Sequence, residues 1–139
     1  MNEYTYGQIS IGQKESFEVK VTEEMMSHFR AITGDINPLH ADASYAKSKG
    51  YEDKVVYGML TASMLSTLAG VYLPGKYSLI HEVDIKLEKP VYVGDVITLE
   101  GVVKEKNDTF SFITVKVVAK NQNGLKVLKA TMQIGVSEE

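Results

Sequence analysis

Between Phe29 and His40 the chain reads FRAITGDINPLH, and the second half of this stretch sets an acid, an amide, a proline and an imidazole among apolar residues. Asp35 and His40 are five positions apart, and Pro38 between them supplies a turn that can fold a carboxylate and an imidazole toward one small volume. That pairing suits proton transfer. An imidazole with an ordinary pKa of about 6.5 gives or takes a proton at neutral pH, and a neighbouring aspartate orients the ring or shares the work. The same spacing fits a plainer reading, in which Asp35 makes a turn hydrogen bond after a helix end and His40 is a satisfied loop histidine. Spacing alone leans to the plainer one, because turn-forming aspartates are common. Ser63 lies about one and a half turns into a long apolar segment, where its hydroxyl either faces a ligand or, more commonly, bonds back to the carbonyl four residues earlier. Gly58 opens that segment. Its amide is a ready donor to a carbonyl that gains negative charge, and a glycine there equally serves close packing.

The elements that must hold these residues can be read outward from them. SFEVKV, Ser16 to Val21, alternates as a half-buried strand does. Thr22 is placed as an N-cap, with Glu23 and Glu24 in the first turn where the helix dipole favours negative charge. Met25, Met26, Phe29 and Ile32 recur at helical spacing, and Gly34 is well placed to end the helix. Pro38 lacks an amide proton and biases Asn37 away from helix, so Asp35 to His40 reads as a loop. Asp42 caps a short helix, ASYAKSK, that stops at Gly50. Gly58 to Leu73 is the longest helical candidate, about 24 Å long, and its apolar residues leave no consistent polar face, which predicts a buried helix. Pro74 and Gly75 end it. Strands follow near Ser78 to Leu87, Val96 to Lys106, Thr109 to Lys120 and Leu125 to Val136, with turns at Gly94-Asp95, Asn107-Asp108 and Asn123-Gly124. The order predicts an α+β fold, a curved antiparallel sheet wrapped around one long central helix.

Composition bounds the chemistry. With 139 residues the chain fits a single domain, 1–139. It has no cysteine, which excludes disulfides, thiolate nucleophiles and cysteine metal sites, and its three histidines, His28, His40 and His81, make a histidine-rich metal site improbable. His28 is expected at the surface and His81 on a strand without an evident partner. Met25, Met26, Met59 and Met64 are expected to fill core, and they would equally suit a pocket for an acyl chain. A net charge of -3 gives no general attraction to nucleic acid or anionic membrane. The N-terminus lacks the pattern of a secretory signal, and Gly58 to Leu73 is shorter than a membrane span, so a soluble cytoplasmic protein is expected.

The stretch around Asp35 also resembles the hydratase motif of the MaoC-like (R)-specific enoyl-CoA hydratases, which have the hotdog fold. That motif is matched without a break by Phe29, Ile32, Thr33, Gly34, Asp35, Asn37, Pro38, Leu39, His40 and Ala46. YGMLTAS resembles the start of the family's central helix, and PVYVGD, Pro90 to Asp95, resembles a later strand entry. The likeness covers most of the chain and tips the balance toward the acid/base reading. It implies reversible syn hydration of a trans-2-enoyl thioester to a (3R)-3-hydroxyacyl thioester, with water bound between Asp35 and His40 as catalytic residues. Asn37 would shape the loop and hold the pair, Ser63 would hydrogen-bond within the site, and the Gly58 amide would hold the thioester oxygen as the enolate develops. No cofactor or metal is implied beyond the thioester's carrier, coenzyme A or acyl carrier protein. A homodimer or dimer of dimers is implied too, with Lys47, Lys49, Lys54 or Lys76 as candidates for the coenzyme's phosphates. Tyr57 departs from the histidine, proline or glutamine of many relatives, which bears on the shape of the tunnel mouth. A single short hotdog suggests short acyl chains. Competing readings are a dehydratase acting on acyl-carrier-protein thioesters, an acyl-CoA thioesterase, and a non-catalytic acyl-CoA sensor.

Overall fold

The computed structural model describes residues 1–138. Strand β1 (Lys14–Lys20) alternates half-buried and exposed residues as its sequence does. Helix α1 (Glu23–Thr33) starts where Thr22 Oγ1 accepts from the Met25 amide and ends where Gly34, at φ 70°, donates its amide to Arg30 O. The left-handed conformation there is one that glycine adopts without a side-chain penalty. Its buried stripe is narrower than the spacing predicts. Met26 is fully buried and Phe29 packs on the core, but Ile32 is 82% exposed, with nothing covering the last turn of the helix on that face.

The expected loop at Asp35 to His40 is only half a loop. Asn37 Oδ1 caps the Leu39 amide, and a helical turn α2 (Pro38–Ala41) follows. Proline occupies the first helical position, where its missing N–H costs nothing and its fixed φ suits the helix. Pro38 therefore starts a helix here rather than only ending one. Asp42 accepts from the Tyr45 amide and caps α3 (Ala43–Ser48), as its place in the sequence predicts.

The central element is α4 (Gly58–Thr67), continued by a π-helical turn over Leu68–Tyr72. The continuous α-helix expected to Leu73 thus widens in its last turn, where the Leu73 amide reaches back five residues to Leu68 O. Its apolar sides are not all buried either. Leu60, Thr61, Ala62 and Leu65 are, whereas Met59 is 61% exposed and shares an uncovered stripe with Ser63 and Ser66.

Strands β2 (Ser78–Leu87), β3 (Val96–Asn107), β4 (Phe112–Lys120) and β5 (Lys126–Val136) complete a five-stranded antiparallel sheet in the order β1-β3-β4-β5-β2. β4 begins three residues later than its β-branched run suggests, because Asn107 accepts from the Phe110 amide and holds the turn open through Ser111, whose φ is 51°. The inward faces of the three middle strands, Ile97, Leu99 and Val103, then Ile113, Val115 and Val117, then Leu128, Met132 and Ile134, share one core with Leu60, Leu65 and Leu68 of the central helix. The approach is close at Gly101, where an added Cβ would stand 2.9 Å from Leu68 Cδ2 and 3.1 Å from Val115 Cγ1. Glycine here lets helix and sheet meet. Among the described residues no helix is long and apolar enough to cross a membrane.

Leu68 sits where the sheet presses hardest on the helix, fully buried against a strand that gives no room for relaxation. Leu68→Ala is expected to cost about 2–5 kcal/mol. Urea unfolding should show a lower midpoint at unchanged slope, and a loss below about 1 kcal/mol would mean that the core does not close on this residue.

Candidate active site

Short-range hydrogen bonds shape the stretch around Asp35. Thr33 Oγ1 donates to Phe29 O at 2.9 Å and accepts from the Asp35 amide at 3.2 Å. Asp35 Oδ1 accepts from the Asn37 amide at 3.0 Å, and Asn37 Oδ1 accepts from the Leu39 amide at 2.9 Å. Two successive side-chain turns of this kind carry the chain from the end of α1 into α2 without a strand or a packed core to support it. Gly34 to Pro38 are all exposed.

His40 is placed by that helical turn and locked by longer-range contacts. Its Nδ1 lies 2.7 Å from Val55 O, while the Val55 amide donates to Leu39 O at 3.0 Å. A carbonyl can only accept, so Nδ1 carries the hydrogen and the neutral ring keeps its lone pair on Nε2. The ring also lies 4.2 Å from that of Tyr57 at an interplanar angle of 31°.

Tyr57, which departs from the family pattern, is 2% exposed and forms part of the wall of the larger cavity described below. Its hydroxyl accepts from Arg30 Nε at 3.0 Å and donates to Asp35 O at 2.7 Å, and its ring stands 4.9 Å from that of Phe29. Reasoning from sequence missed this link, since neither the spacing of Arg30 nor a tyrosine before a helix signals a contact across 27 residues. Gly58 follows immediately as the first residue of α4. An added Cβ there would meet Leu87 Cδ1 at 2.5 Å, so the glycine does serve close packing, and its amide belongs to the first turn, whose N–H groups lack acceptors within the helix.

Asp35, His40, Gly58 and Ser63 all line one cavity of about 680 Å³ whose other walls are largely apolar, among them Met59, Ile80, Val83 and Ile85. Asn37 is not on its wall and acts through the backbone it caps. Ser63 bonds back along the helix, its Oγ donating to Leu60 O at 2.6 Å, three residues earlier rather than four. Its lone pairs remain available to the cavity. A smaller cavity of about 290 Å³ shares His40, Gly58 and Leu87 with the first. Thr61 lines it, 5% exposed, with a hydroxyl that has no hydrogen-bond partner.

The remaining candidates lie elsewhere. His28 is exposed and 3.8 Å from Glu24, as a surface histidine should be. His81 does have a partner, Gln133 Nε2 at 3.3 Å from its Nδ1, and its ring covers Gly135. Met59 opens onto the cavity instead of filling core. Of the four lysines, Lys54 is paired with Glu23 and Lys76 with Glu3. No group of three or more histidine and acidic side chains among the described residues is arranged to hold a metal ion.

Comparison with known proteins identifies the family and the fold. The family model described as "MaoC like domain" matches residues 8–124. The chain is 37% identical over 92 residues to an (R)-specific enoyl-CoA hydratase of Aeromonas caviae, covering 66% of this chain and 69% of that one. It is 40% identical over 72 residues to a mitochondrial 3-hydroxyacyl-(acyl-carrier-protein) dehydratase of Solanum lycopersicum, covering 52% and 42% respectively. Among solved structures, an unliganded R-hydratase from Pseudomonas aeruginosa superposes with a TM-score of 0.90 at 28% identity, covering 97% of this chain and 86% of the other. The architecture is the hotdog fold.

The unpartnered Thr61 hydroxyl is a liability to the fold that the smaller cavity explains. Thr61→Val, which keeps the shape and removes the polar atom, is expected to raise stability by about 1 kcal/mol in chemical denaturation. A loss of stability instead would show that the hydroxyl has a partner in solution.

Proposed function

The chain belongs to the MaoC-like domain family and is a hydro-lyase, and we propose that it is an (R)-specific enoyl-CoA hydratase with Asp35 and His40 as its acid/base pair. The observation that carries the reading is the meeting of those two side chains with the first turn of α4 on the wall of one largely apolar cavity. Hydration at the β-carbon of an enoyl thioester has two needs: a base for the attacking water, and stabilisation of the enolate that forms as the double bond's electrons move toward the carbonyl.

The locked tautomer favours His40 Nε2 as the atom that takes the water's proton, with the Asp35 carboxylate accepting the second hydrogen of the same water and orienting it. As the O–Cβ bond forms, negative charge gathers on the thioester oxygen. The Gly58 amide is the donor proposed to hold it, a contact of a kind that contributes about 10²–10³ in rate. The proton taken up by the Asp35–His40 pair returns to the α-carbon from the same face, which makes the addition syn and restores the pair. Run backward, the same steps dehydrate a (3R)-3-hydroxyacyl thioester. Asn37 holds the turn that presents Asp35, and Ser63 offers its lone pairs to the substrate. The chemistry as written uses no metal or redox cofactor, the carrier being part of the substrate.

Coenzyme A is the proposed carrier. Of the four candidate lysines, Lys47 on α3 and Lys49 just past its end are left for its phosphates, since Lys54 and Lys76 already face carboxylates. A second copy of the chain is the proposed partner. β2 is an edge strand, its apolar Leu79, Val83 and Leu87 are exposed, and the last two line the open cavity, so a copy paired there would wall the acyl site. A second reading, dehydration of acyl-carrier-protein thioesters, rests on the likeness to the Solanum lycopersicum dehydratase.

Wild-type protein is expected to consume crotonyl-CoA, followed by the fall in absorbance of the conjugated thioester. Asp35→Asn and His40→Ala should each lose about 10²–10⁴ in kcat. Wild-type turnover no faster than that of Asp35→Asn would overturn the proposal. Faster turnover of the same acyl group on carrier protein than on coenzyme A would select the second reading, and release of free thiol would indicate hydrolysis of the thioester instead.

A further inference from the structure

We infer that Tyr57, held by Arg30, is a positioning residue that sets the geometry of the acid/base pair, its hydroxyl fixing Asp35 through the backbone while its ring supports His40. The inference rests on the proposed role of Asp35 and His40 and adds to it a residue outside the motif.

The direction of the hydrogen bonds decides what the hydroxyl does. Arg30 Nε–H can only donate, so the phenol oxygen accepts from it at 3.0 Å. The phenol's own hydrogen is then directed to Asp35 O at 2.7 Å. A charged donor at the head of such a chain polarises the next bond and strengthens it. Arg30 also stands over the ring, its Cζ 5.9 Å from the centroid, which keeps the guanidinium close to the oxygen it serves.

Asp35 needs this tether. Gly34 to Pro38 are exposed, and the other bonds of Asp35, to Thr33 and Asn37, reach only two residues along the chain. Local bonds give the turn its shape but do not fix where that turn stands relative to the rest of the molecule. The bond from Tyr57 does, because Tyr57 is buried and starts α4, its carbonyl accepting from the Leu60 and Thr61 amides. It fixes the plane of the peptide that leaves Asp35, and hence the direction in which the side chain departs from its Cα. His40 meets the same ring at 4.2 Å. One side chain therefore registers both members of the pair against the helix whose first amide is the proposed enolate donor. Displacement of a catalytic group by about 1 Å can cost on the order of 10² in rate.

The test is Tyr57→Phe, which keeps the ring under His40 and removes the oxygen, with Arg30→Gln and the double variant. Tyr57→Phe is expected to fold with the wild-type circular dichroism spectrum and to lose about 10- to 100-fold in kcat toward crotonyl-CoA, with KM changed less than about threefold. Arg30→Gln should lose part of this in the wild-type background and nothing further in Tyr57→Phe, since its effect passes through the missing oxygen. Amide exchange at Asp35 and Asn37, whose N–H groups bond to Thr33 Oγ1 and Asp35 Oδ1, should quicken at least about tenfold in Tyr57→Phe without substrate, a readout that does not depend on the reaction assigned to the site. Wild-type kcat in Tyr57→Phe, a loss confined to KM, additive losses in the double variant, or unchanged exchange would each overturn the inference. If Tyr57→Phe does not fold, unchanged kcat and exchange in Arg30→Gln overturn it. Wild-type protein that turns over no enoyl thioester would instead defeat the proposed function, and the exchange measurement would still decide the role of Tyr57.

Discussion

Three extended residues, Val55 to Tyr57, fix most of what matters in this molecule. The Val55 carbonyl holds the His40 ring, and its amide takes Leu39 O. The Val56 amide donates to Val91 O at 2.8 Å and so ties the segment to the entry of β3. Tyr57 reaches back to Asp35 and forward into α4. The segment as a whole therefore ties α2, the entry of β3, the turn at Asp35 and the start of α4 to one another. Val56 and Tyr57 are both 2% exposed, so the segment is anchored in the core although the stretch it serves lies on the surface. This arrangement puts the rigid part of the site behind the exposed turn rather than in it.

How much of this can be read from residues alone depends on the range of the interaction. Thr22, Gly34 and Asp42 mark helix ends correctly because capping is decided within about four residues, and the same is true of the turns at Gly94 and Gly124. Pro38 was ambiguous at that range, since proline both ends one helix and starts another, and the Asn37 cap decides for the start. The motif brought Asp35, His40, Gly58 and Ser63 to one cavity wall as expected, whereas Asn37 works from outside it. Ile32 and Met59 mislead for a different reason. Helical spacing says which residues share a face, but it does not say what covers that face, and here one end of α1 and one stripe of α4 meet open space. The link from Arg30 to Tyr57 left no trace in spacing because it depends on two elements being packed together first.

The uncovered stripe of α4 also explains why so small a protein can hold so large a cavity. A central helix wrapped on all sides would leave a core with no room for substrate, since protein interiors pack as densely as organic crystals. Here the middle strands close on the helix at Leu60, Leu65 and Leu68, and the side that carries Met59, Ser63 and Ser66 is left to the cavity, whose far wall is made by β2 at the sheet's edge. Glycine at 101 brings the two layers together, and the exposed end of β2 leaves them open. Gly58 then lets Leu87 stand directly against the helix start, between the larger cavity and the smaller one.

That placement has a consequence for specificity. Leu87, His40 and Gly58 line both cavities, so the proposed reaction would take place at the junction of the two, with largely apolar walls on the larger side and Tyr51, Glu88 and Lys89 on the smaller. A thioester of the proposed kind, held at the Gly58 amide, would have room to direct one arm each way. The larger cavity, with few polar groups, rewards burial of hydrocarbon at about 25 cal/mol per Å², which suits the acyl arm. The smaller one, with Tyr51, Glu88 and Lys89 on its wall, suits an arm that carries its own donors and acceptors.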